Sequence, residues 1–285
     1  MSLPYRLGRK GIFERPNENS LKPKRIVFLS VEGTKTEVSY FQYVEKFRQE
    51  LGIEAIVHIE VLRKIDTKSD PDHVLELLDE YIKFRESDTF KDELLKLKLK
   101  NYTEDFIKDY VLAPESISKR KRNKFEAVLK QERIDLLYLD FLSKYRGEDD
   151  AFGIVIDRDR DSHSVGQMND IIKKCHEKQY YCFITNPCLE FWQLLHVSDV
   201  AEEYKEQLDE ILANKLDDQG NTFVSNLLYS KTKQRKAIPL KTFQTYYLPN
   251  INLAIERVRA FAPSSELVNQ LGSNLGELFS LLRKG

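Results

Sequence analysis

Three acidic residues directly follow apolar segments of the sequence, where they could hold a metal ion. Glu32 follows the apolar run at 24–31, and Asp157 and Asp159 follow the run Ala-Phe-Gly-Ile-Val-Ile at 151–156. Alternate residues of an extended segment point the same way, so the Asp-x-Asp spacing can direct both carboxylates at one cation. Mg²⁺ prefers hard oxygen ligands and keeps several waters, so two or three carboxylates and a substrate phosphate suffice. These residues predict a site for Mg²⁺ or Mn²⁺.

The acidic run at 157–161 has a second interpretation. Its sequence, Asp-Arg-Asp-Arg-Asp, also suits a solvated loop whose charges cancel as ion pairs. Carboxylates placed straight after an apolar strand repel one another unless a cation or an arginine balances them, which favours metal binding by Asp157 and Asp159. The two interpretations have equal weight for Asp161, which we include as a candidate ligand. Glu32 alone is a weak signal for a metal site, because a Glu-Gly pair is common in turns. Its combination with the Asp-x-Asp segment makes it a candidate ligand.

Other candidates lie near predicted helix starts. Glu190 could be a further metal-binding acid or could compensate the helix dipole, with equal weight. Lys35 and Thr36 precede a helical pattern and could contact a substrate phosphate, although Lys35 is equally well explained as a solvated lysine.

Asn186 and His196 are also candidate substrate-binding residues. Asn186 could orient the loop beside the acids, or it could simply cap the next helix with Pro187 in the first turn. His196 lies six residues after Glu190, on a different helical face, so we do not expect the two to share a metal. A histidine at such a position is more often a structural hydrogen-bonding group than a catalyst.

The elements that must position these residues alternate between strand and helix. Apolar, β-branched runs predict strands, and apolar residues at helical spacing predict helices between them. Ser164 and Gln167 have the spacing of a capping box. The β-α-β-α order predicts an α/β fold with a parallel sheet, whose loops at the carboxyl ends of the strands converge on one crevice. The predicted strands are 24–31, 53–62, 151–156 and 180–185.

The texture of the sequence also predicts a domain organisation. An N-terminal arm at 1–21 precedes the core, which we place at 22–87 and 150–200. The segment 88–149 is rich in Lys, Glu and Leu and predicts a helical insertion, and 201–285 predicts C-terminal helices. The basic stretches Lys119 to Lys124 and Lys231 to Lys236 could follow a phosphate backbone, although such helical faces are usually just solvated.

The composition excludes several classes of protein. The chain has 285 residues, 41% of them hydrophobic, and its charges nearly cancel to −1, so no overall field attracts a polyanion. Its three cysteines lack C-x-x-C spacing, which favours reduced thiols in a cytoplasmic protein. No apolar run is long enough for a membrane span, so we expect no membrane association.

Three segments carry a resemblance to a known family. Glu32-Gly33 after a first strand and Asp-x-Asp after a third resemble the Toprim fold of topoisomerases, primases and OLD-type nucleases. The segments Val-Glu-Gly-Thr-Lys-Thr-Glu-Val-Ser-Tyr-Phe at 31–41, Asp-Arg-Asp at 157–159 and Asn-Pro-Cys-Leu-Glu-Phe-Trp-Gln-Leu-Leu-His at 186–196 resemble the RloB-like family. The resemblance covers about 22–87 and 150–200, and the segment 88–149 departs from it.

The resemblance implies a Toprim-like, metal-dependent nuclease of bacterial phage defence, often encoded beside an ABC- or AAA-type ATPase. It implies that Glu32 is a general acid/base or a metal ligand and that Asp157 and Asp159 are metal ligands. We therefore expect an enzyme that hydrolyses phosphodiester bonds in DNA or RNA. The alternative is a non-catalytic Toprim-like module that binds nucleic acid or a partner of an ATPase complex. Assembly of the chain into a homo-oligomer is compatible with both alternatives.

Overall fold

A computed structural model describes residues 25–33, 35–53, 57–62, 71–86, 99–112, 116–131, 150–235 and 237–283. The chain divides into two compact units. One consists of Met1–Glu76 together with Asp149–Gly285, and the other is Leu77–Glu148. The predicted N-terminal arm lies outside the described residues.

Within the described residues, five strands form one sheet in the order β2-β1-β3-β4-β5. The first four strands run parallel, and β5 pairs antiparallel with β4. The predicted α/β fold with a parallel sheet is confirmed. The strands are β1 (Arg25–Val31), β2 (Val57–Leu62), β3 (Ala151–Asp157), β4 (Tyr181–Asn186) and β5 (Gly272–Ser273).

The helices of the first unit flank this sheet and make up most of the region that follows β4. Short 3₁₀ segments and one π-helical turn, Phe243–Tyr247, join some of them. The α-helices are α1 (Thr36–Lys46), α2 (Pro71–Glu86, which continues into the second unit), α3 (Glu104–Leu112), α4 (Lys119–Gln131), α5 (Val165–Glu177), α6 (Leu189–Val197), α7 (Val200–Glu203), α8 (Leu208–Ala213), α9 (Phe223–Thr232), α10 (Leu240–Thr242), α11 (Ile251–Arg257) and α12 (Leu275–Arg283).

The central strands are mostly apolar because both faces of the sheet are covered. Alternate residues of a strand point to opposite faces. Val27 and Leu29 of β1 belong to a buried cluster with residues of α1 and α6. Ser30 points the other way, and its hydroxyl donates to the Val74 carbonyl of α2 at 2.8 Å.

Of two helix starts predicted from local sequence signals, one is confirmed and one is wrong. The predicted capping box is confirmed, since Ser164 and Gln167 exchange both hydrogen bonds at the start of α5. The predicted N-cap at Asn186 is wrong, because α6 begins at Leu189 with Cys188 as its N-cap. Asn186 is instead the last residue of β4, where it pairs with Gly272. Its place in the sheet prevents it from capping α6.

The second unit has its own small core. Phe125 of α4 is buried, and its ring centroid lies 4.5 Å from Tyr102, 5.1 Å from Phe106 and 4.9 Å from Tyr110. The residues of 88–149 that the structure describes form α3, α4 and short turns beside them. The remainder of that segment lies outside the described residues, so the helical insertion stays a prediction. No helix in the described ranges has the length and apolar character needed to cross a membrane.

Asn274 directly follows β5, and its side chain forms hydrogen bonds with the backbone of β4. Its amide oxygen accepts from the Ile184 N–H at 2.7 Å, and its amide nitrogen donates to the Cys182 carbonyl at 3.0 Å. The side chain thus supplies β4 with the hydrogen bonds that another strand residue would give. We predict that Asn274→Ala lowers the free energy of unfolding by about 1–3 kcal/mol, because a buried N–H loses its acceptor. Denaturant unfolding measures this change, and Asn269→Ala, at an exposed position, is the control.

Candidate active site

Glu32 and Asp157 meet at the carboxyl edge of the sheet. Glu32 follows β1, Asp157 ends β3, and these strands are hydrogen-bonded neighbours. The Glu32 carboxylate accepts from the backbone N–H of Asp157 at 2.9 Å. Two acids that are 125 residues apart in sequence therefore share one site, because adjacent parallel strands end together.

Asp157 lies among other carboxylates. Burial raises its pKa well above the ordinary value, and the negative charges of Glu32, Glu37 and Glu190 raise it further. A hydrogen bond from the Leu189 N–H to Asp157 Oδ1, at 3.0 Å, acts in the opposite direction by stabilising the carboxylate. We call Glu32, Glu37, Asp157 and Glu190 the acidic cluster. Of the two interpretations of Glu190, this placement supports the one in which it belongs to the site.

Glu37 is a member of the acidic cluster that our reading of the sequence did not single out. It lies in the first turn of α1, five residues after Glu32. A Cβ atom on Gly33 would overlap the Glu37 carboxyl group, so glycine allows this carboxyl group to lie against the loop backbone. The signal in the sequence was the pair of glutamates in Glu-Gly-Thr-Lys-Thr-Glu, one on each side of the predicted strand-to-helix loop.

His163 is a second residue that the sequence did not bring to attention. Its side chain is 4% exposed, and its Nε2 lies 3.4 Å from Glu32 Oε1. The hydrogen bond to Glu32 raises the pKa of His163. Among the described residues, its Nδ1 has no hydrogen-bonding partner. A lone histidine in a polar loop has no helical or strand periodicity that would have linked it to Glu32.

Asp159 and Asp161 have different surroundings from Asp157. Asp159 is exposed, and its carboxylate accepts from the Ser162 hydroxyl at 2.7 Å and from the Asp161 N–H at 3.2 Å. Its carbonyl accepts from the His163 N–H, so the chain turns here. The Asp159 carboxylate therefore stabilises its own loop, and the extended geometry that would align it with Asp157 does not continue. Asp161 is also exposed.

Arg158 anchors this loop through hydrogen bonds of its buried side chain. Its side chain is buried, its Nε donates to the Val268 carbonyl at 2.6 Å, and its Nη1 donates to the His163 carbonyl at 2.7 Å. Arg158 therefore connects the loop of the aspartates to the segment before β5 and fixes the backbone of His163.

The candidate substrate-binding residues fall into two groups. Lys35 is exposed and Thr36 half-buried at the start of α1, close in sequence to Glu32 and Glu37. Asn186 is fully buried, and its amide donates to the Leu267 carbonyl at 2.7 Å. His196 is 1% exposed, with Nδ1 2.9 Å from the Trp192 carbonyl and Nε2 3.1 Å from the Tyr40 hydroxyl. Burial lowers the pKa of His196 to about 3. The structure does not bring His196 to the acidic cluster, and its contacts are those of a structural residue.

The donor set of the acidic cluster fits a hard divalent cation in its chemistry. Carboxylate oxygens are what Mg²⁺ prefers, and their mutual repulsion is what a cation would relieve. Across the ranges that the structure describes, no group of three or more His, Cys, Asp or Glu side chains is arranged so that it could hold a metal ion. Mg²⁺ often takes only one or two protein carboxylates and completes its shell with water and phosphate. Glu32 and Asp157 are the pair suited to that arrangement.

The fold and the site define an α/β protein with an acidic cluster at the carboxyl edge of a parallel sheet. The family model described as RloB-like protein matches residues 27–282. The chain therefore belongs to the RloB-like family. The comparisons with curated proteins and with solved structures found no match.

Proposed function

We propose that this protein is a metal-dependent nuclease of the Toprim type that hydrolyses phosphodiester bonds in DNA or RNA. The observation that carries the proposal is the contact between Glu32 and Asp157, with Glu37 and Glu190 close enough to raise the pKa of Asp157. A fold gains no stability from several like charges in a partly buried place. A cation-dependent reaction explains why they are there.

The residues of the chain have distinct tasks in this proposal. Glu32 and Asp157 would hold Mg²⁺ or Mn²⁺, with Glu190 and Glu37 beside them. The bound ion would supply an activated water and offset negative charge on the scissile phosphate. The first backbone N–H groups of α1, with Lys35 and Thr36, would orient an adjacent phosphate. His163 holds one oxygen of Glu32 and so limits its rotation.

The proposal extends to biological context through the family resemblance. We propose a cytoplasmic effector of phage defence that works with an ABC- or AAA-type ATPase. The second candidate is a non-catalytic Toprim-like module that binds nucleic acid or the ATPase. The Asp159 carboxylate favours this second candidate, because it bonds within its own loop and is not among the charges that raise the pKa of Asp157.

A cleavage assay separates these functions. Purified protein, alone and with the ATPase encoded beside it, is incubated with plasmid, single-stranded DNA and tRNA. We expect cleavage with Mg²⁺ or Mn²⁺ and none with chelator. Binding to nucleic acid with no cleavage in either metal, also with the ATPase present, would contradict the nuclease and favour the binding module.

Asp159→Ala tests the second aspartate within the same assay. The Asp-x-Asp spacing predicts that cleavage is lost, whereas the hydrogen bonds of the Asp159 carboxylate within its own loop predict that cleavage survives. In both cases the free energy of unfolding should change by no more than about 1 kcal/mol, since the side chain is exposed. Nucleic-acid binding should largely survive, because salt-dependent phosphate contacts do not need the acids. Unchanged cleavage would remove Asp159 from the metal ligands and leave it as a loop-stabilising residue. Asp170→Ala, at an exposed position of α5, is the matched control.

A further inference from the structure

Two cations flank one aromatic ring on the surface of the first unit. The Arg235 guanidinium carbon lies 3.9 Å from the centroid of the Tyr229 ring, and Lys233 Nζ lies 5.4 Å from the same centroid. Both cations are exposed, and the ring is half-buried on α9. Arg235 Nη1 also donates to Asn226 Oδ1 at 2.8 Å, which uses one of the five N–H donors of an arginine. We call Tyr229, Lys233 and Arg235 the aromatic–basic patch.

The segment that carries the two cations is anchored in the core. Gln234, between Lys233 and Arg235, is 3% exposed. Its Oε1 accepts from the Tyr247 hydroxyl at 2.7 Å, and its Nε2 donates to Gln193 Oε1 at 3.2 Å. Gln193 lies three residues after Glu190 on α6, which is the same helical face. One end of the segment is therefore fixed to the helix that contributes Glu190.

The other end of the segment is fixed to the helix that contributes Glu37. The Ile238 N–H donates to the Ser39 hydroxyl at 3.4 Å, and that hydroxyl donates to the Thr36 carbonyl at 3.0 Å. Thr36 and Ser39 form the first turn of α1. The segment that carries Lys233 and Arg235 is thus fixed to the two helices whose first turns contribute Glu37 and Glu190 to the acidic cluster.

We propose that the aromatic–basic patch binds an unpaired nucleic-acid strand and leads it to the acidic cluster. The inference rests on the proposed nuclease function and adds the strand class and the residues that hold it. Tyr229 fixes the plane of the Arg235 guanidinium, which can stack on a base with its outer face and donate to a phosphate with its remaining N–H groups. Lys233 adds a second phosphate contact. An unpaired base offers an open face to such a platform, whereas bases in a duplex are stacked on one another.

Lys231 shows why the basic stretch cannot be treated as one uniform surface. Its Nζ is 2.7 Å from Glu203, so its charge is already paired. Lys236 lies outside the described residues. Among the described residues of the stretch from Lys231 to Lys236, Lys233 and Arg235 are therefore the ones we propose for contact with a phosphate backbone.

Binding without catalysis is the direct test. Fluorescence anisotropy is measured in chelator with labelled single-stranded RNA, single-stranded DNA and duplexes of the same length. We expect Arg235→Gln and Tyr229→Leu each to weaken single-strand binding about tenfold, as loss of one stacking contact does. Tyr229→Phe should restore binding, because it keeps the ring. The double variant should be little weaker than either single one, since Tyr229 acts through Arg235.

A cation–aromatic pair at the opposite edge of the sheet supplies the control. Lys178 Nζ lies 5.9 Å from the Tyr180 ring, just before β4 begins. Lys178→Gln should leave binding within about twofold of wild type, as one distant, exposed lysine contributes little. Unchanged binding in Arg235→Gln, or equal losses for duplex and single strand, would overturn the proposal. Tight, patch-dependent binding together with absent cleavage would leave the patch intact and contradict only the nuclease.

Discussion

Asp157→Asn is expected to abolish cleavage and at the same time to stabilise the protein. The amide keeps an oxygen for the Leu189 N–H. It removes one negative charge from the proposed metal-binding pair and so also lowers the repulsion within the acidic cluster. Loss of outer-sphere partners alone costs metal sites about 10–100-fold, so loss of a ligand should lower activity by at least about 100-fold. The free energy of unfolding in chelator at neutral pH should rise by about 1 kcal/mol, which corresponds to a melting temperature roughly 2–4 °C higher.

The pH dependence of this effect has a definite sign. Because the folded protein raises the pKa of Asp157, folding favours the protonated carboxyl group. The wild-type protein therefore has this stabilisation at pH values below the unfolded pKa and loses it as pH rises through the folded pKa. The advantage of Asp157→Asn should accordingly be present at neutral pH and disappear in acid. Thermal unfolding across pH measures the difference, and an advantage that grows in acid would contradict the repulsion.

Asp170→Asn is the matched control for charge removal. Asp170 lies on the exposed side of α5, so its replacement should change the free energy of unfolding by less than about 0.5 kcal/mol. A similar gain from both variants would point to a general effect of net charge. A gain confined to Asp157→Asn would assign it to the acidic cluster.

Tyr40→Phe is expected to be among the most destabilising single-atom changes in the protein. The Tyr40 hydroxyl accepts from Trp192 Nε1 at 2.8 Å and lies 3.1 Å from His196 Nε2. His196 Nδ1 must donate to the Trp192 carbonyl, because a carbonyl oxygen only accepts. The imidazole is neutral, so its Nε2 accepts from the Tyr40 hydroxyl. Phenylalanine leaves two buried groups without partners.

The expected loss is about 2–4 kcal/mol, since each unsatisfied buried group costs about 1–3 kcal/mol. Tyr43→Phe is the control on the same helix. Tyr43 is only half-buried and packs on Phe243 through its ring, at 5.2 Å between centroids. Tyr43→Phe should lower the free energy of unfolding by less than about 0.5 kcal/mol. Denaturant unfolding of the two variants gives the comparison, and equal losses would show that the hydroxyl of Tyr40 contributes no net stability.

The parallel strands and the meeting of Glu32 with Asp157 could be predicted because they depend on patterns within short segments. An apolar run covered on both faces has few alternatives to a central strand. The end of such a strand then fixes where the next residue lies. β5 was missed because Gly272 and Ser273 have no strand pattern of their own. They join the sheet through Asn274 and through pairing with β4.

The surroundings of Asp159 could not be predicted, because they depend on where the extended chain stops. The Asp-x-Asp interpretation assumed a strand that continues through Asp159. The last sheet-like hydrogen bond is from the Arg158 N–H to the Thr185 carbonyl, at 2.8 Å. Beyond this hydrogen bond, the contacts of the buried Arg158 side chain and the turn at 159–163 determine the direction of the chain. Those contacts reach Val268, which no local pattern connects to this loop.

Two contacts that hold β4 and the loop after Asp157 involve residues that are synthesised late. Arg158 depends on the Val268 carbonyl, 110 residues further along the chain, and Ile184 depends on Asn274, 90 residues further along. At about 5–20 residues per second, the ribosome adds such a stretch in roughly 5–20 s. During that time the strands that carry Glu32 and Asp157 are already made but lack these anchors. A nascent chain would therefore acquire these contacts only after Asn274 has emerged from the ribosome, which would keep the proposed nuclease inactive until then.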